Sequence, residues 1–262
     1  MKNSLFIVAA LFCACNPIRT DLGNYALNCK AQEVIVQSDS QELPYTAFFN
    51  GKGQLDSVCT RNFDGSPRFK ESYIYDEHSR LKEVYGINSE GDYEVRYEYE
   101  IDGKFIKECR VYGMNNQEIH RWVHENDGRH IVHTVYYGEG EKEYIIKKKF
   151  SGSHYTEESY TPDGELTGHA EVDFFRDDNK PTCVRGDQMD IDIQYNSKGL
   201  PEISRNATLN SKGELEWVPG LEENPFRYFS YEYDERGNWI SRAERIHPDS
   251  TAISVLHRII KY

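Results

Sequence analysis

The densest chemistry in this chain lies in "HRWVHENDGRHIVH", His120 to His133, where four imidazoles fall within one short stretch. If Glu125 to Arg129 form a loop, His124 faces His130 across a hairpin, and His120 lies two pairs along on the same face. His120, His124 and His130 would then be candidate transition-metal ligands. The plainer reading is a polar sheet face rich in histidine. "HENDG" begins like a zinc-protease helix, but Gly128 stands where the second histidine must be. "EYEIDG" spaces its acids like a calcium loop, yet Cys109 falls where the closing glutamate belongs. There is no GxSxG, no phosphate-binding lysine loop and no full dinucleotide fingerprint. Carboxylates are too numerous to nominate a glycosidase pair. No cofactor is implied.

A second set of candidates is aromatic. The chain holds 19 tyrosines. Tyr73, Tyr75, Tyr97, Tyr99, Tyr231, Tyr233 and Trp239 are candidate ligand-binding residues, because aromatic faces stack on sugars or peptides and hydroxyls add a polar handle. The same residues recur at regular spacing, as core residues do.

That spacing exposes the elements that must position them. "YIYDEHSRL", "YEYEIDGKF", "WVHENDGRHI", "IQYNSKGL" and "YEYDERGNWISR" share one outline: an aromatic or apolar pair, a turn of Asp, Asn, Ser and Gly, then a hydrophobic residue. The last residues before successive turns are Phe49, Tyr75, Tyr99, His124, Phe150 and Phe175, a period near 25 residues. A second turn signal inside most periods makes each unit two strands of a meander. In "YEVRYEYE" Tyr93, Val95, Tyr97 and Tyr99 share one face, and Glu94, Arg96, Glu98 and Glu100 the other. The expected fold is all-β: an antiparallel meander of roughly 16 short strands at ~4.8 Å each, curled as a single sheet or incomplete barrel. The alternative is a two-sheet sandwich. A membrane barrel fits poorly, since its strands need an aliphatic lipid-facing band.

Composition sets the class of partner. Mean hydropathy is −0.76 and 29% of residues are charged, but 13% are aromatic, which suits sheets with one aromatic and one charged face. A net charge of −13 argues against nucleic acid and against polybasic attachment to anionic lipid. At the start, Lys2, the apolar run "LFIVAALF" and "CAC" read as an export signal too short to span a bilayer. The chain divides into a signal at 1–14, a tether and first-strand region at 15–44, and a hairpin-repeat domain at 45–262. Cys29, Cys59, Cys109 and Cys183 are scattered without a CxxC, which argues against a zinc site; an exported setting permits disulfides among them in any of three pairings, and the plainer reading is four small buried hydrophobes.

Two resemblances follow. The leader resembles a bacterial lipoprotein signal, with Ala14 before an acylated Cys15. The repeat resembles the YD (RHS-type) repeats of bacterial surface proteins, carried by Tyr73, Tyr75 and Asp76 in one copy and by Tyr231, Tyr233, Asp234, Gly237 and Trp239 in another. The resemblance covers residues 45–262 and implies a β-meander shell with no catalytic residue. The expected function is an exported, lipid-anchored protein of the Gram-negative envelope, on an outer membrane, with a non-catalytic binding or scaffolding role. Its partners would be the membrane, through the anchor, and a glycan, peptide or envelope protein. The competing readings are a glycan- or peptide-acting hydrolase with its site in the concave face, and a metal- or calcium-clipped structural protein.

Overall fold

The computed structural model describes residues 27, 30–39, 43–102, 105–127, 129–137, 140–174, 181–186, 189–209, 215–217 and 225–262. Cys15, Cys29 and the signal-like segment lie outside them. The described residues form twenty strands and no helix: β1 (Glu33–Ser38), β2 (Tyr45–Phe49), β3 (Leu55–Arg61), β4 (Pro67–Tyr75), β5 (Leu81–Asn88), β6 (Tyr93–Asp102), β7 (Phe105–Tyr112), β8 (Glu118–Asn126), β9 (His130–Tyr137), β10 (Glu141–Ser151), β11 (His154–Tyr160), β12 (Leu166–Phe174), β13 (Pro181–Gly186), β14 (Met189–Tyr195), β15 (Pro201–Arg205), β16 (Ala207–Leu209), β17 (Leu215–Trp217), β18 (Phe226–Tyr233), β19 (Trp239–Arg245) and β20 (Ser254–Lys261).

Successive strands from β2 to β15 pair antiparallel, β15 passes to β18, and β19 and β20 follow. β1 completes the circuit: Val34 faces Ala47 of β2 on one side and Ile260 of β20 on the other. The result is a closed antiparallel barrel of 18 strands. This corrects the expectation of about 16 strands in a curled open sheet or an incomplete barrel, and equally the two-sheet sandwich. An open meander leaves two edges of unpaired backbone N–H and C=O groups. β1 lies ahead of the first repeat and covers both.

The turns explain the repeat. At Asp234 the backbone N–H donates to Asn238 O, and the Gly237 N–H donates to Asp234 O. The Asp234 Oδ1 accepts from the N–H groups of Arg236 (2.9 Å) and Asn238 (2.8 Å). Asp76, Asn50, Asn88 and Asn196 accept the same two bonds. The fourth turn residue adopts positive φ, 80° at Gly237 and 64° at Ser79, which is why glycine recurs there. The acceptor side chain, not catalysis, selects the Asp or Asn of each copy.

One side of the wall faces inward. Val34, Val36, Ala47, Val58, Val84, Val111, Val135, Ile146, Val172, Val184 and Leu256 are buried in consistent register. The outer side is charged at strand centres: Lys147 faces Glu158, and Arg185 and Arg205 each bridge Asp190 and Asp192. Such a wall is dressed for water rather than for hydrocarbon. The interior is filled unevenly. One core joins β1–β3, β19 and β20 around Val34, Ala47 and Leu256. The other joins β11–β14 and β18 to the small β16–β17 hairpin, which folds into the lumen. Ala207 and Leu209 are buried there, Thr208 donates to Glu244 at 2.8 Å, and Arg242 donates to Leu209 O at 2.9 Å.

Candidate functional site on the inner wall of β4 to β9

Among the described residues, the inner faces of β4–β9 belong to neither core apart from Tyr73. Small residues on the odd strands, Val84, Cys109, Val111 and Val135, are buried. Over them project the longer side chains of the even strands, Phe69, Glu71, Tyr73, Tyr97, Tyr99 and Trp122, each only half-buried. Because their register points them inward, the surface they keep is lumen surface. Gly86 makes the packing possible: a Cβ there would stand 2.2 Å from the Phe69 ring.

Glu71 is the carboxylate in the middle of this wall. The Tyr73 hydroxyl donates to its Oε2 at 3.3 Å. Burial raises the Tyr97 hydroxyl above the usual phenol range, and the Glu71 carboxylate adds to the rise, so Tyr97 remains a hydrogen-bond donor. A carboxylate acceptor flanked by phenol donors and aromatic faces can hold a hydroxyl-rich ring by its edge and stack on its C–H face.

The aromatic candidates divide by place. Tyr73, Tyr97 and Tyr99 stand on the open wall. The Tyr75 hydroxyl donates to Leu55 O (2.8 Å), and the same tie recurs from Tyr195 to Pro181 O (2.7 Å) and from Tyr231 to Pro201 O (2.8 Å). In each, a tyrosine fastens its strand to the first residue of the strand beside it. Tyr231 packs edge-on against buried Trp239 (centroids 6.1 Å apart). Arg258 covers the Trp239 ring at 3.9 Å, and Lys198 covers Tyr233 at 3.5 Å.

The histidines do not gather as the five-residue loop would have placed them. β8 runs to Asn126 and β9 begins at His130, and the register sets His124 opposite His133. Their Nδ1 atoms meet on the inner face. His120 packs on Tyr137 (5.2 Å), and His130 lies outside, bonded to Asp127 at 3.0 Å. No group of three or more His, Cys, Asp or Glu among the described residues is placed to hold a metal. His120 Nδ1 lies 3.7 Å from Glu143, beyond a hydrogen bond, and both side chains are substantially open to solvent.

Sequence reasoning missed a buried ion pair beside the histidines. Lys148 and Glu157 face each other across β10–β11 with 2.8 Å between Nζ and Oε2, both almost fully buried. Burial, reinforced by Lys148, depresses His124 to about 4. Burial, His124 and Lys148 together depress His133 to about 2. Phase was the available signal: Lys148 alternates with Ile146 and Phe150, and Glu71 with Phe69 and Tyr73.

No family model and no curated protein sequence matches the chain. Among solved structures it is similar to a porin-like protein from Bacteroides uniformis, at 10% identity over 88% of this chain and 96% of that one, with a TM-score of 0.42. It is also similar to a porin-like protein from Bacteroides vulgatus, at 9% identity over 90% and 99%, TM-score 0.35. A third similar structure is TcdB2-TccC3-Cdc42, at 10% identity over 78% of this chain and 12% of that one, TM-score 0.31. Likenesses this distant leave function to the site itself.

Proposed function

We propose that this chain is a non-catalytic binding module of the bacterial envelope, exported and lipid-anchored at Cys15, which holds a glycan on the inner wall of β4–β9. The observation that carries the reading is Glu71, set between Tyr73 and Tyr97 on the stretch of inner wall where aromatic side chains stay half-exposed. A hydrolase needs a second carboxylate at a fixed separation, or a base in hydrogen-bond contact with a nucleophile. Among the described residues Glu71 is the carboxylate at mid-wall, while Glu157 is tied to Lys148 and Glu244 to Arg227. The turn-forming role of Asp76 and Asp234 supports kinship with YD-type repeats as architecture.

Trp122 shares the wall, so its fluorescence reports binding. Titration with soluble malto-, cello- and chito-oligosaccharides is expected to quench it for at least one series. Glu71→Gln and Tyr97→Ala should each weaken that binding about tenfold or more. Silence across all three series, with a short-peptide panel as comparison, would overturn the glycan reading, and a response to peptides alone would reassign the ligand. The anchor is tested separately. Wild type grown with labelled palmitate should carry label and partition into detergent, and Cys15→Ser should do neither.

A further inference from the structure

The two ends of the barrel differ in chemistry. One end, the crown, carries the turns after β1, β3, β5, β7, β9, β11 and β19 and the start of β18. The base carries the turns after β2, β4, β8, β10, β14 and β18. Phe63, Met114, Tyr137, Leu166, Phe226 and Ile253, 44% to 71% exposed, all lie in or beside crown turns. Among the described residues no base turn holds an exposed large hydrophobic. Charge divides the same way. The described crown turns hold seven exposed carboxylates, Asp64, Glu90, Asp163 and Glu165 among them, and no lysine or arginine. The described base turns balance five carboxylates with five cations, Lys52, Arg80, Arg129, Lys198 and Arg236.

Met114, Tyr137 and Leu166 belong to three successive hairpins, and at ~4.8 Å per strand they trace an arc of roughly 20 Å. Apolar side chains in line beside turns whose own charges are all carboxylates, with Arg61 and Arg96 reaching in from the strands to Gly65 O and Asn116, mark an interaction surface rather than scattered exposure. We propose that this arc docks a second protein through a cationic, partly apolar segment. Its aliphatic side chains would cover Met114, Tyr137 and Leu166 while its lysines or arginines meet the crown carboxylates. Anionic lipid and a second copy of the crown are both disfavoured by repulsion from the same carboxylates. Only Tyr137, whose ring packs on His120, touches the inner wall, and the glycan reading rests on Glu71 of β4, so the two stand or fall apart.

The test uses the purified chain and an amphipathic peptide of lysine and leucine. The comparisons are a glutamate–leucine peptide of the same pattern and vesicles of phosphatidylglycerol or phosphatidylcholine. The lysine–leucine peptide should bind, and its affinity should fall as salt is raised. It should also fall about tenfold in Met114→Ser/Tyr137→Ser/Leu166→Ser, whose melting temperature should match wild type because the three sites are exposed. Asp163→Lys/Glu165→Lys should weaken it as well. The proposal is overturned by absence of binding, by equal affinity in the triple variant, by equal binding of the glutamate–leucine peptide, or by association with either vesicle.

Discussion

Gly86 shows how one residue sets the inner wall. It needs no unusual backbone angle; it is glycine because the Phe69 ring occupies the place of its Cβ. Gly86→Ala should push that ring from its rotamer and destabilise the barrel by about 1–3 kcal/mol. A denaturant melt would show this as a lower midpoint at unchanged slope. Phe69→Ala on the same background should remove the clash but leave a cavity, so the two changes should not add. The period and alternation made the sites of Asp234 and Tyr231 legible in the sequence. The close approach at Gly86 was not, because it depends on which residue the neighbouring strand sets diagonally across from it.

At the scale of elements, the β8–β11 hairpins bring His124, His133, Lys148 and Glu157 together on one inner face. Lys148→Met strands the Glu157 charge in the interior and should cost about 3–5 kcal/mol, whereas Lys148→Met/Glu157→Leu should recover most of the loss. A double-mutant cycle on thermal unfolding measures this coupling. The histidines predict a pH response whose sign is fixed. Their folded-state values lie below the ordinary 6.5, so between pH 6.5 and about 4 the unfolded chain binds more protons. Stability is therefore complete above pH 6.5 and declines as pH falls through that window, by roughly 3 kcal/mol from His124 alone. His124→Gln/His133→Gln should flatten the dependence of melting temperature on pH across it. An unchanged slope would show that other groups govern the acid response.

At the scale of the molecule, closure depends on β1. Val36 is buried where β1 meets both β2 and β20, opposite Tyr45 and Arg258. Val34→Asp, one pair along and opposite only Ala47 and Ile260, buries an unpaired charge at that seam and should cost about 3 kcal/mol or more. The two edges it frees should also bind other copies. Size-exclusion chromatography should then show oligomers, and amide exchange should rise first in β1, β2, β19 and β20. Exchange that rises evenly around the barrel would show that the seam is no weaker than the rest.

By itself the sequence determined the local grammar. Alternation set which side chains share a face, and a turn acceptor followed by a residue of positive φ set where each strand ends. Both depend on neighbours a few positions apart. Only the tertiary structure decided that the sheet closes, because β1 meets β20 across more than 200 residues and no local pattern records that pairing. The register of the β8–β9 hairpin was likewise settled by a turn shorter than composition suggested, which exchanged His130 for His133 as the partner of His124. Closure also assigned the aromatics: the same Tyr motif is a strap at Tyr231, in a filled core, and a candidate ligand surface at Tyr97, where the lumen keeps side chains half-exposed. The physical reason is that period and alternation are properties of a strand, whereas the space in front of a strand is a property of the wall across from it.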